Sequence, residues 1–221
     1  MDYLADTADI EKLKTLFEYL PLCGVTTNPT ILKRSGLKLT EAVGKIADIV
    51  DRGSIHIQVI SEDADEIVKE ARKYKNYFEL GDNYYTKIPV TFEGLKAMRI
   101  LKDAGINVTA TAIFTQQQAL LAAKAGADYV APYVSRLDNI ASRGIDVVND
   151  IVINMSEFNL NTKVLAASFK TVDQIYRISM DGCHSATISP ELLMQLIKHP
   201  MTDSSIETFL IDGKGIYDLD F

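Results

Sequence analysis

The stretch YYTKIPVTFEGLKAMRILKDAGINVTATAI (84–113) contains two periodicities in succession. YYTKIPV (84–90) and NVTATAI (107–113) are short, rich in aromatic and β-branched residues, and read as strands. Between them, FEGLKAMRILKDAG (92–105) repeats apolar residues at helical spacing, and Gly105 stands where a helix-ending glycine belongs. Strand, helix and strand within about thirty residues make a βαβ unit, whose two strands run parallel. The stretch also raises a chemical question. Lys87 lies in the middle of a strand otherwise suited to burial, and lysine is almost never buried unless it is paired or functional.

The pattern recurs on both sides. Strand-like runs occur at DYLADT (2–7), LCGVTTN (22–28), IHIQVI (55–60), YVAPYV (129–134), KVLAASF (163–169) and SATISP (185–190). Helical spacing separates them, as in Ile10, Leu13, Leu16, Phe17 and Leu20, in DADEIVKEARKY (63–74), and in QQQALLAAKAGAD (116–128) with its stop at Gly126. Eight such runs predict an α/β fold, a closed (β/α)8 TIM barrel over residues 1–200. An open doubly wound sheet is the alternative, weakened because no glycine-rich phosphate loop follows any strand. Beyond the barrel, TDSSIETFLIDG (202–213) places Ile206, Phe209 and Leu210 on one stripe. It predicts an additional C-terminal helix in a tail over 201–221, packed on its own barrel or on a neighbouring subunit.

Composition narrows the function. The 221 residues are 47% hydrophobic and 24% charged, with a net charge of −7. That balance argues against nucleic-acid or anionic-membrane partners. No apolar run approaches the ~18 residues of a membrane span, and the acidic start lacks a signal-peptide pattern. Cys23 and Cys183 lie amid apolar residues without a CxxC, so both are expected to be buried free thiols in a cytoplasmic protein. His56, His184 and His199 are scattered without metal-ligand spacing, so neither metal nor cofactor is expected.

Strand alternation identifies candidate site residues. In IHIQVI, Ile55, Ile57 and Val59 face the helices, leaving His56 and Gln58 inward. Asp6, Thr26 with Asn28, Gln58, Lys87, Thr111, Tyr133 and Ser168 stand near the C-terminal ends of their strands, where barrel active sites form. Ser168 groups with Val164 and Ala166. This ring is too polar for packing alone. His56 and Thr109, deeper on the same face, are expected to hydrogen-bond in the lower barrel. Thr7 and Asp9, rather than Asp6, are placed to cap the first helix. Asn28, before Pro29, also suits a turn.

A lysine inside a barrel has a chemical use. Burial disfavours an ammonium, and a neutral amine attacks a carbonyl to form a Schiff base. The protonated imine draws electrons from the neighbouring carbon, so a C–C bond becomes breakable. Asp6 would hold the iminium or a substrate hydroxyl. Tyr133 would move protons, directly or through a water held by Gln58 and Thr111.

These residues carry a resemblance. GVTTNPTI (24–31), TKIPVT (86–91), TATAIF (109–114), APYVSRLD (131–138) and VLAASFK (164–170) together resemble the small transaldolase family, and look most like its fructose-6-phosphate aldolase branch. The resemblance implies a (β/α)8 barrel with the Schiff-base lysine on the fourth strand, at Lys87. It implies hydroxyl contacts at Asp6, Thr26 and Asn28, and a phosphate site at Arg136 and Ser168, for which a guanidinium fork is well suited. The substrates implied are sugar phosphates and dihydroxyacetone, and the assembly a homo-oligomer, a decamer, with the C-terminal helix reaching a neighbour. Transaldolases of the family carry glutamate in place of Gln58, phenylalanine in place of Tyr133 and arginine in place of Lys170. All three positions resemble the aldolase branch; transfer of a dihydroxyacetone unit between sugar phosphates is the alternative.

Overall fold

The computed structural model describes residues 1–217. Its strands are β1 (Asp2–Asp6), β2 (Gly24–Thr26), β3 (Ser54–Gln58), β4 (Tyr84–Pro89), β5 (Asn107–Ile113), β6 (Tyr129–Pro132), β7 (Lys163–Ala166) and β8 (Ser185–Ile188). All pair in parallel in chain order, and β8 closes on β1 with Leu4 opposite Thr187, giving the expected closed barrel. The helices are α1 (Ile10–Tyr19), α2 (Pro29–Ser35), α3 (Leu39–Val50), α4 (Ala64–Tyr77), α5 (Phe92–Asp103), α6 (Gln116–Lys124), α7 (Val134–Asp138), α8 (Gly144–Glu157), α9 (Val172–Met180), α10 (Pro190–Gln195) and α11 (Pro200–Asp212). The final stretch, 218–221, lies outside the described residues.

Local chemistry sets the boundaries. Asp9 caps α1 by accepting from the Lys12 N–H, which leaves Asp6 free of a capping role. Gly105 and Gly126, with φ of 70° and 94°, take the left-handed conformation that ends α5 and α6. The core lies between strands and helices. Ile55 and Ile57 of β3, Val164 and Ala166 of β7, and Leu13 and Leu16 of α1 are buried there.

The lumen follows the other parity. Its lower layer is aromatic: the His56 ring stacks on Tyr85 with centroids 4.6 Å apart and meets Tyr129 edge-on at 5.4 Å. His56 Nδ1 lies 2.7 Å from Thr109 Oγ1, and Nε2 lies 3.0 Å from Ser54 Oγ. This is the hydrogen-bonded lower barrel that the alternation predicts.

Two expectations need correcting. Cys183 is buried, but Cys23 is exposed because it lies just before β2, outside the core. Ser168 does share parity with Val164 and Ala166, but those two face outward into the helix-covered core. β7 ends at Ala166, with only an isolated bridge at Ala167 beyond it, and Ser168 has φ 65°, so alternation does not govern its direction.

Burial, and secondarily the charge of Lys87, hold His56 well below the ordinary imidazole value, at about 3. The folded state therefore keeps His56 neutral. Its stabilising contribution is present above about pH 6.5 and is lost as pH falls from there toward 3. Urea unfolding between pH 7 and pH 4 should show this site adding up to about 1.4 kcal/mol of lost stability per pH unit. His56→Phe, which keeps a ring in the stack, should be less stable at pH 7 yet lose less on acidification; equal pH slopes would contradict the assignment.

Candidate active site

Lys87 comes from the centre of β4 and is 2% exposed. Its register neighbours are Gln58 on β3 and Thr109 on β5, so the side chain enters the lumen one layer above Tyr85 and His56. Nζ donates to the Thr27 carbonyl at 3.4 Å, at the long end of a hydrogen bond. Among the described residues, Lys87 forms no ion pair within 4.0 Å. The barrel thus carries a primary amine into its centre and ties it only loosely.

Two hydrogen-bonded groups stand at the mouth around it. The first joins β1, β2 and β8. Thr26 Oγ1 donates to Asp6 Oδ1 at 2.6 Å and lies 2.6 Å from Thr187 Oγ1, so Thr187 can donate in turn to Thr26. Burial pushes the Asp6 carboxyl above the ordinary carboxylate value, against the opposing pull of Lys87, the Thr26 hydrogen bond and Arg136. A cleft of about 900 Å³ is lined by Asp6, Ile31, Arg34 and Ser189, among others; Lys87 does not line it.

The second group joins β5 to the β6–α7 turn. Tyr133 Oη lies 3.0 Å from Thr111 Oγ1. A register shift between Ala110 and Ile113, with Ala112 at φ 57°, interrupts β5 beside Thr111. Such bulges re-aim side chains at barrel rims. The Tyr133 ring is held from two directions: Phe114 meets it edge-on at 5.4 Å, and the Arg136 guanidinium carbon lies 4.4 Å from its centroid. Arg136 is otherwise exposed on α7. Ser168 joins this side through its backbone, its carbonyl accepting from the Ser135 N–H at 2.8 Å.

The structure therefore brings Asp6 and Thr26 together on one side, and Thr111, Tyr133 and Arg136 on the other, with Lys87 buried in the lumen. Gln58 is adjacent to Lys87 in register, but its side chain makes no hydrogen bond among the described residues. Asn28 caps α2 by accepting from the Ile31 N–H at 3.0 Å, so its turn role is real, and its amide NH2 remains free to donate. Sequence reasoning missed Thr187, although it alternates with Ser185 in SATISP and could have been placed inward. It also missed the Thr27 carbonyl, which no side-chain pattern reveals.

Comparison with known proteins adds an independent line. A family model described as transaldolase/fructose-6-phosphate aldolase matches residues 3–216. A protein of Clostridium tetani named probable transaldolase is 41% identical over 216 residues, covering 98% of this chain and 99% of that one. Proteins with the same name from Symbiobacterium thermophilum and from Thermoanaerobacter sp. (strain X514) are 41% identical over 215 residues and 39% identical over 214. The first of these alignments covers 97% of this chain and 98% of the relative, and the second covers 97% of each.

Thr26→Val keeps the shape of the side chain but strips both Asp6 and Thr187 of their shared partner. Urea unfolding at pH 7 should show a loss of about 1–3 kcal/mol; an unchanged midpoint would mean that the Thr187–Thr26–Asp6 chain holds nothing in place.

Proposed function

We propose that this chain, which belongs to the transaldolase/fructose-6-phosphate aldolase family, is a Schiff-base aldolase that reversibly cleaves fructose 6-phosphate to dihydroxyacetone and glyceraldehyde 3-phosphate. One observation carries the choice: a tyrosine hydroxyl, Tyr133 Oη, stands at the mouth, hydrogen-bonded to Thr111, above the buried lysine.

The steps follow from the residues. The Lys87 nitrogen adds through its lone pair to the substrate C2 carbonyl, and protonation of the resulting hydroxyl with loss of water leaves a protonated imine. A base removes the proton from the C4 hydroxyl. The C3–C4 bond then breaks, its electron pair moves into the iminium, and glyceraldehyde 3-phosphate leaves. The enamine that remains takes a proton at C3, and water hydrolyses the imine, returning Lys87 and dihydroxyacetone. Tyr133 Oη supplies and recovers protons, through a water held by Thr111 and Gln58. Asp6, Thr26 and Asn28 orient substrate hydroxyls, and Arg136 with Ser168 takes the phosphate, the guanidinium fork matching its oxygens.

The second reading, a transaldolase, is favoured by the names of the relatives, each a probable transaldolase. It uses the same imine, but the enamine attacks an aldose phosphate instead of taking a proton. Tyr133 supports the first reading, because a hydroxyl donates a proton and a phenyl ring does not.

We further propose that residues 1–200 are the catalytic barrel and that the tail packs on a neighbouring subunit of a homo-oligomer. α11 buries none of its residues, and Ile206, Phe209 and Leu210 are 51%, 70% and 72% exposed. Side chains of this kind on a monomer surface mark contact sites. Light scattering should show a chain truncated after His199 falling to a smaller assembly than the full chain; an unchanged mass would count against the tail's role.

With fructose 6-phosphate as sole substrate, free dihydroxyacetone should accumulate. Tyr133→Phe should cut that release by about a hundredfold or more and shift turnover toward transfer when an aldose phosphate is added. Release that requires an acceptor, or that survives Tyr133→Phe at full rate, would favour the transferase reading.

A further inference from the structure

α7 is only five residues long, yet it carries Arg136 and follows directly on Tyr133. A helix of one turn does not hold itself together. Its hold comes from elsewhere. Gln174, in the first turn of α9, is the hub. Its Oε1 accepts from the Ser135 hydroxyl at 3.1 Å, the Lys170 N–H at 2.8 Å and the Thr171 N–H at 3.3 Å. Its Nε2 donates to Asp138 Oδ2 at 2.7 Å. The other carboxylate oxygen, Asp138 Oδ1, accepts from the Gly144 N–H at 2.8 Å, tying down the start of α8. That approach is close: a Cβ on Gly144 would stand 2.3 Å from the Val134 carbonyl oxygen.

The ties bracket the functional residues. Ser135 and Asp138, on either side of Arg136, both end on Gln174, and Ser135 N–H also donates to the Ser168 carbonyl. Gln174 in turn is locked by a reciprocal cap with Thr171, in the loop that follows Ser168. The segment that presents Tyr133 and Arg136 is thus fastened to the segment that presents Ser168 through one amide and one carboxylate.

We propose that Gln174 and Asp138 are positioning residues: their hydrogen bond is a clasp that fixes Arg136 and Tyr133 against Ser168, and so sets the affinity of the mouth for a phosphate group and the placement of the Tyr133 hydroxyl. The inference deepens the aldolase reading and rests on it for the identity of the phosphorylated substrate. The amide matters because one group must accept three hydrogen bonds and donate a fourth. Glutamate at position 174 keeps the acceptor but turns the donor into a second negative charge facing Asp138. Asparagine at position 138 keeps the bond from Gly144 but meets the Gln174 amide donor to donor. The two changes together exchange the roles: the new amide at position 138 donates to the new carboxylate at position 174, which rebuilds the clasp.

The test compares wild type, Gln174→Glu, Asp138→Asn and the double variant, after thermal melts have identified any variant that is unfolded. Two quantities are read: the Kd for inorganic phosphate by calorimetry, and KM for glyceraldehyde 3-phosphate relative to unphosphorylated glyceraldehyde in condensation with dihydroxyacetone. Each single change should weaken phosphate binding about tenfold and raise the phosphorylated KM by a similar factor, and the double variant should return to within about threefold of wild type. The unphosphorylated aldehyde should show the clasp in kcat rather than in KM. A loss of stability that lowers both aldehydes alike, single variants that bind phosphate as wild type does, a wild type that binds no phosphate, or a double variant no better than the worse single would each overturn the clasp. A wild type that condenses neither aldehyde but shows the predicted phosphate pattern would defeat the aldolase reading and leave the clasp standing.

Discussion

A primary amine carried into the centre of a closed barrel is the constraint on which the rest of the structure depends. Lys87 is 2% exposed, with one long hydrogen bond to a carbonyl and no ion pair among the described residues. Burying an amine without a close partner is expensive, and the lumen around it is polar. Beneath it, the layer of His56, Tyr85, Tyr129 and Thr109 is polar but uncharged, and burial keeps His56 neutral. Above it, the Asp6 carboxyl is pushed toward its protonated form, though Lys87 and Thr26 oppose the shift. An amine in these surroundings is suited to condensing with a carbonyl and badly suited to being mere packing.

The mouth divides into two sides with different kinds of support. Asp6, Thr26 and Thr187 lie on adjacent strands, and the barrel's own register holds them. Tyr133 and Arg136 lie beyond the end of β6, on a turn and a five-residue helix, and depend on contacts from other loops. The sheet therefore holds the part around the amine and the carboxylate. The loops hold the part that carries the Tyr133 hydroxyl and the Arg136 guanidinium.

Much of this was legible in the sequence because the strands of a parallel barrel announce themselves by period and by the helices between them. The inward set of β3, β4 and β5 followed from alternation, and so did the place of His56 and Thr109 in the lower barrel; that they bond to each other is seen only in the fold. Alternation failed wherever the backbone left the strand. Ser168 adopts a left-handed φ one residue past a bridge, so its parity grouped it with outward-facing residues. The register shift at Ala112 went unseen for the same reason, since no residue type announces a bulge. Cys23 looked buried because its neighbours are apolar, but it precedes the strand. The clasp was invisible because Asp138 and Gln174 are 36 positions apart and belong to no shared period; only the fold brings them within 2.7 Å.

If Lys87 condenses with the substrate ketone, borohydride traps the resulting imine on its side chain. The full-length protein would be incubated with dihydroxyacetone and reduced with borohydride, then digested and its peptides weighed. The account predicts one reduced dihydroxyacetone adduct, on the peptide containing Lys87. No adduct, or an adduct on another lysine with Lys87 unmodified, would contradict it.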